Sequence, residues 1–194
     1  SKLNSKINCH IGLDTGHTRI GFRDFEIEKI KKLKELENLN FIGAFSHFAT
    51  ADEKDLTYTN EQYKKFIYII DKIKDDFDLN LVHIANSAAS IEYDFKSDLL
   101  RVGISLYGVY PSDYIKEISK IKLEQAFEFK AQISFVKNVK KGTSISYGRT
   151  FTAGKDMKVA TVAIGYADGF KRAFSNIGEV LVNGKLAKVV GRVC

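Results

Sequence analysis

Four short segments hold most of the side chains capable of chemistry: Asp14–Gly21 (DTGHTRIG), His47–Asp52 (HFATAD), His83–Ser87 (HIANS) and Arg101–Ile104 (RVGI). A fifth, Gly165–Gly169 (GYADG), lies much further along the chain. Histidine and tyrosine can move protons, and arginine holds anions through a fixed fork of donors. Each segment also has a plain structural reading. DTG alone is an Asp-initiated turn with glycine at a left-handed position. His47 or His83 alone reads as a core histidine with its hydrogen bonds satisfied, and GYADG as a tight turn with a packed tyrosine. Arg101 beside apolar residues is more telling. A buried guanidinium needs acceptors, supplied either by structural partners or by a ligand.

The elements that must position these segments alternate over the first part of the chain. Apolar runs at Ile7–Leu13, Phe41–Phe48, Leu81–Ala85 and Leu100–Tyr107 read as four strands. A helix is expected over Phe25–Leu39, with Ile27, Ile30, Leu33 and Leu36 on one stripe. A second is expected over Asn60–Phe77, with Tyr63, Phe66, Ile67, Ile70 and Ile73 facing inward and Thr59 with Gln62 as its capping box. Short apolar strands separated by helices imply parallel β/α units. The first four polar segments then fall at the C-terminal ends of the strands, where β/α barrels carry their active sites. After Pro111 the pattern turns β-rich, with runs at Phe127–Val139, Ser144–Tyr147, Lys158–Ile164, Glu179–Val182 and Lys185–Val190. Asn183-Gly184 between the last two is a strong hairpin signal. The expected organisation is a β/α region over residues 1–112, a linker over 113–122 and an antiparallel β region over 123–194. Four β/α units are either half of an eight-unit barrel or a small open sheet, and composition does not separate the two.

With 194 residues, 44% apolar and 28% charged, the chain can fill a sizeable core, which excludes disorder and coiled coil. The formal charge is +6, but only six of the thirty cations are Arg, and the Lys are scattered over expected helices such as Glu28–Lys34. That describes a solvated Lys-rich surface, so no nucleic-acid partner is expected. No apolar run approaches the ~18–20 residues that span a bilayer, so no membrane partner is expected either. Ser1–Asn8 is polar with no apolar stretch behind it, which argues against a signal peptide. Cys9 and Cys194 give neither a metal spacing nor a disulfide framework. The expectation is a cytosolic, reduced protein without a metal. Ser1 opens just before a strand pattern and Cys194 falls inside another, so the chain reads as a piece of a longer polypeptide.

Taken together, the segments resemble those of alanine racemase, a fold-type III family that uses pyridoxal 5′-phosphate (PLP). The matching phrases are HIGLDTGHTRIGF, FSHFATADE, VHIANSAAS, LLRVGISLYGVYPS, ISYGRTF, VAIGYADGFKR and VVGRVC, in the family's order and approximate spacing. The resemblance covers essentially the whole chain. It implies an α/β plus β architecture: the C-terminal half of a (β/α)8 TIM-type barrel followed by the first part of an antiparallel β domain. It places the PLP-linked lysine before Ser1 and the rest of the β domain after Cys194.

The resemblance also implies roles. Arg101 matches the partner of the PLP ring nitrogen, with His83 bonded to it. An arginine does not give up its proton, so it leaves that nitrogen unprotonated and the ring a weaker electron sink, which suppresses side reactions such as transamination. Ser87 and the backbone N–H groups of Gly103 and Ile104 match the phosphate cradle. His47 matches a histidine packed on the PLP ring. Arg19 matches an arginine that contacts the phenolic oxygen and the substrate carboxylate, and Cys194 matches a cysteine near the substrate. Tyr166 matches the second catalytic base, opposite the PLP lysine, and reaches into the other subunit's barrel, which implies a homodimer. Asp168 beside it reads as a turn acceptor. The implied reaction is interconversion of L- and D-alanine, feeding bacterial peptidoglycan from the cytoplasm.

Two residues depart from the pattern. Gly12 stands where many members carry a carbamylated lysine that steers Arg19, and His17 replaces a usually apolar residue, read as loop packing. Alternatives are a serine racemase of the same family, and a non-catalytic PLP-binding barrel protein, against which the β-rich region with GYADG argues. Arg101 argues against a decarboxylase of this fold type. Residues 1–194 in isolation are expected to show no turnover.

Overall fold

The computed structural model describes residues 5–194; residues 1–4, which open the expected β/α region, lie outside the described residues. The chain divides into two compact units, one reaching to Glu128 and the other spanning Phe129–Cys194. Among the described residues no helix is long and apolar enough to cross a membrane.

The first unit is built on a parallel sheet in the order β1 (Ile7–Gly12), β2 (Leu39–Phe45), β3 (Leu81–His83). Register puts Ile11, Ala44 and Val82 on one face and Gly12, Phe45 and His83 on the other. The first face packs against helices. Ile11 and Ala44 join Ile30, Phe66, Ile69, Ile73, Ile84 and Ala88 in one core. Burying a ring such as Phe66, 0% exposed, contributes about 1.5–3 kcal/mol.

Helix α2 (Thr57–Ile73) supplies Phe66, Ile69 and Ile73 to that core. Tyr63, Ile67 and Ile70 lie partly buried against it, as the stripe predicts, while Ile69 is an addition. The helix starts earlier than its sequence pattern suggests, because Asp55 Oδ1 accepts the Thr57 N–H at 2.9 Å. Thr59 and Gln62 are therefore not a capping box: both lie inside the helix, buried, with partners elsewhere. The helix expected over Phe25–Leu39 is a short α1 (Ile27–Lys31) flanked by 3₁₀ turns at Asp24–Glu26 and Lys32–Glu35. Its stripe holds for Ile27, Ile30 and Leu33. Leu36, past the last turn, is 47% exposed.

The fourth expected strand, Leu100–Tyr107, does not form. Its lead-in follows β3 through Asp98 N–H to the Val82 carbonyl at 2.9 Å and Arg101 N–H to the Ala85 carbonyl at 3.1 Å. The return half of the ladder is taken by side chains. Val82 N–H goes to Asp98 Oδ2 at 2.6 Å and Ile84 N–H to Ser97 Oγ at 3.1 Å. With β3's donors occupied, no backbone carbonyl of the incoming segment has a partner there. Residues Ile104–Tyr107 then wind into a 3₁₀ turn. Two short helices carry no clear sequence stripe. These are α3 (Ser87–Glu92), capped by Asn86, and α4 (Asp113–Ile118), capped by Ser112. The latter lies within the segment read as a linker, and its Ile115 is fully buried in the core.

The second unit is antiparallel. β4 (Ile133–Val139) pairs with β7 (Met157–Val162), β5 (Ser144–Ile145) with β6 (Phe151–Thr152), and β8 (Glu179–Val182) with β9 (Lys185–Lys188). The run expected from Phe127 becomes a strand only at Ile133, where its register with β7 begins; just upstream of that run, Ala126 N–H bonds to the Tyr107 carbonyl. Asn183 and Gly184 both take positive φ, 48° and 75°, as a two-residue hairpin turn between β8 and β9 requires.

Candidate active site

Because β1, β2 and β3 are parallel, their C-terminal ends share one edge, and the loops leaving it carry Asp14, His47 and His83. Arg101 arrives beside them from the segment that follows α3. Its guanidinium is a hub. One terminal nitrogen, NH1, donates to His83 Nδ1 and to the His83 carbonyl at 3.2 Å. The other, NH2, donates to the Ser46 carbonyl at 2.5 Å, to His47 Nδ1 at 3.2 Å and, more weakly, to the Ile84 carbonyl at 3.4 Å. The cation also lies 5.8 Å from the centre of the Phe45 ring, which stacks on the His83 ring.

Guanidinium only donates, so both histidine nitrogens that face it must accept. The electrostatics agree. Burial first, then the charges of Arg101 and His10, pull His83 down to about 4. Burial, then Arg19 and Arg101, pull His47 down to about 4. Burial and Arg19 lower Arg101 in turn. Among the described residues no carboxylate pairs with Arg19 or Arg101. The edge therefore offers two unneutralised cations and two neutral imidazoles, an arrangement suited to an anionic aromatic ligand.

The His47 loop is held from below by α2. Gln62, 1% exposed, accepts the Ala49 N–H at 2.8 Å and donates to the His47 carbonyl at 3.1 Å, bracketing Phe48. Thr59 shares a hydrogen bond with Thr50 at 2.9 Å, and Thr15 another with Ser46 at 2.8 Å, which ties the DTG loop to the His47 loop. Asp14 makes a turn, as its plain reading has it. Burial opposes its charge, but the N–H groups of Thr18 and Gly16 and the Arg23 side chain prevail and hold the carboxyl below its usual range.

Arg19 and His17 line one depression with His47, Phe45 and Ser46. His17 packs edge-on against His47, ring centres 5.2 Å apart, and its Nδ1 is buried with no hydrogen-bond partner among the described residues. Gly12 is covered by the Phe45 ring, whose tip lies 3.3 Å from where a Cβ would stand. An aromatic ring thus occupies the ground beside the missing side chain. Ser87, at the start of α3, accepts the Gly103 N–H at 2.9 Å, so Ser87, Gly103 and Ile104 are brought to one place.

Tyr166 and Cys194 stand in the second unit, beside each other. The Tyr166 N–H donates to the Cys194 carbonyl at 2.9 Å, and the Tyr166 side chain is 58% exposed. A Cβ at Gly165 would collide with that same carbonyl, so only glycine allows this approach. Asp168 accepts the Gly165 N–H at 2.9 Å, which makes it the turn acceptor expected from the sequence. Two participants escaped the sequence reading. His10 bonds His83 through Nδ1 at 2.8 Å; in the sequence it is a polar residue inside an apolar strand run, at the head of the phrase HIGLDTGHTRIGF. Gln62 reads as a cap in the sequence, since a buried polar residue and a capping one share the same pattern.

Comparison with known proteins matches both units. The family model of the alanine racemase N-terminal domain covers residues 1–111, and that of the C-terminal domain covers 126–194. An alanine racemase 2 of Caldanaerobacter subterraneus subsp. tengcongensis is 44% identical, over all of this chain and 50% of its own length. The crystal structure of alanine racemase from Bacillus anthracis, with bound L-Ala-P, superposes with a TM-score of 0.88 at 39% identity, over 98% of this chain and 50% of that one. The alanine racemase of Bartonella henselae, with covalently bound pyridoxal phosphate, gives 0.77 at 29% identity, over 98% and 52%. The chain spans about half the length of the relatives it matches. With both domains matched in order along the chain, it belongs to the alanine racemase family.

Proposed function

We propose that the protein interconverts L-alanine and D-alanine with PLP as cofactor, supplying D-alanine for bacterial peptidoglycan from the cytoplasm. The observation that carries this reading is Arg101, a cation bonded to two histidines held neutral and, among the described residues, paired with no carboxylate. Arg101 would donate to the ring nitrogen, held in place by His83, and His47 would pack on the ring. Ser87 and the backbone of Gly103 and Ile104 would hold the phosphate, which would take the Gly103 N–H that Ser87 Oγ accepts here, and Arg19 would hold the phenolic oxygen and the substrate carboxylate. When bound, PLP supplies an electron sink next to the amino acid's α-carbon.

In this reading the parallel sheet is the C-terminal half of an eight-stranded β/α barrel, and the antiparallel unit begins a β domain. Tyr166 gives and takes the α-proton on one face of the substrate, from the partner copy of a homodimer, with Cys194 close to the substrate. The exposed phenol on its glycine-bounded turn supports that role. The test is a racemisation assay of the complete protein with PLP, separating D- from L-alanine, with serine run in parallel. Formation of D-alanine from L-alanine, faster than the corresponding serine reaction, is expected. A serine preference would move the protein to the serine branch. PLP binding without turnover of either substrate would overturn the enzymatic reading.

A further inference from the structure

Arg101's role requires that its acceptor on His83 stay an acceptor. A neutral imidazole carries one proton, and a proton on Nδ1 would put two donors face to face. Since Arg101 can only donate to His83 Nδ1, the proton of a neutral His83 sits on Nε2. That nitrogen lies 2.8 Å from His10 Nδ1, which therefore accepts. The hydrogen bonds run in one direction only: Arg101 to His83 to His10.

Three features of the strands aim His10 at this spot. The β1–β2 register slips between Cys9 and His10, so that Cys9 faces Phe41 and His10 faces Gly43. Such a bulge turns a side chain away from its regular direction. Gly43 is open where the imidazole passes: a Cβ there would stand 2.8 Å from His10 Cε1 and would also strike the Leu81 carbonyl. Finally, the His10 and His83 rings are tilted at 57° with centres 5.0 Å apart, a geometry set by an in-plane nitrogen contact rather than by stacking.

We propose that His10 is a positioning residue: by accepting from His83 Nε2–H it confines His83 to one tautomer and thereby holds Arg101 in place toward the cofactor ring. The inference rests on the racemase reading for its consequence, but its physical content, a fixed tautomer, is measurable without turnover. Outer partners that fix a histidine's tautomer at other sites change function by about 10- to 100-fold when removed.

The experiment uses the full-length, PLP-loaded protein with ¹⁵N-labelled histidine, compared with His10→Asn and His10→Leu. Asparagine places an acceptor oxygen near the position of His10 Nδ1, whereas leucine fills the space and accepts nothing. Wild type should show His83 protonated at Nε2 and bare at Nδ1. His10→Asn should keep that pattern and most of kcat. His10→Leu should show mixed His83 tautomers and a kcat lower by about tenfold, with little change in KM for alanine. A wild-type His83 protonated at Nδ1, a leucine variant with an unchanged tautomer, or an asparagine variant as impaired as the leucine one would each overturn the proposal. Absence of racemisation in every form, with the tautomer pattern as expected, would refute the racemase reading while leaving the His10 assignment standing.

Discussion

Arg101 directs two nitrogens at acceptors on two different loops, a task that depends on the flat, forked shape of guanidinium. A lysine at the same place carries the charge on one atom with three donors, and it cannot hold His83, Ser46 and His47 together. Arg101→Lys is therefore expected to lose roughly 10- to 100-fold in kcat/KM, measured by initial rates of alanine racemisation. The histidines around it predict a pH dependence of stability. His47 and His83 titrate near 4 in the fold against 6.5 in the unfolded chain. Between those values the unfolded chain takes up the extra protons, so stability falls as pH drops from 6.5 to 4 and is flat above 6.5 for these groups. After allowance for solvent screening each contributes about 1–2 kcal/mol. Urea midpoints measured from pH 7 down to 4.5 should show the loss, and His47→Asn should lessen it. These residues were legible as family phrases because their identities carry the chemistry. His10 opens one of those phrases, but its role was not legible, since one hydrogen bond to a partner 73 positions away leaves no local pattern.

The elements were legible where burial imposes a period. Strands β1 to β3 read directly as apolar runs, and the Asn183-Gly184 turn follows from backbone sterics alone. Elements set by side-chain hydrogen bonds were not legible. Ser97 and Asp98 stop a fourth strand by taking the donors of β3, although Leu100–Tyr107 is as apolar as a strand. Helices α3 and α4, six residues each, are too short to show a stripe and rest on their Asn86 and Ser112 caps. Gln62 is the clearest case, a residue that joins α2 to the His47 loop. Gln62→Leu keeps the helix and the volume but strips partners from the Ala49 N–H and the His47 carbonyl. The expected cost is about 1–3 kcal/mol in urea denaturation, with a matching loss of His47's fixed position. A change below a few tenths of a kcal/mol would mean that water replaces both bonds.

Over the whole molecule, each unit leaves its apolar surface partly uncovered by the described residues. Among the described residues no strand pairs with the outer edge of β1, and Phe135, Leu181 and Leu186 of the antiparallel unit are exposed. In the racemase reading the parallel sheet is only half of a barrel, so residues 1–194 expressed alone are expected to show no racemisation with added PLP; measurable D-alanine from the pure piece would contradict this. The central claim, that a tyrosine on the second unit serves one face of the substrate, is tested most directly by α-proton exchange. The complete protein and its Tyr166→Phe variant would be incubated with PLP and each alanine enantiomer in heavy water, and the α-proton signal followed by NMR. The native protein should exchange both enantiomers, and Tyr166→Phe should selectively lose exchange for one enantiomer together with racemisation. Equal exchange of both enantiomers in the variant, at the native rate, would contradict it.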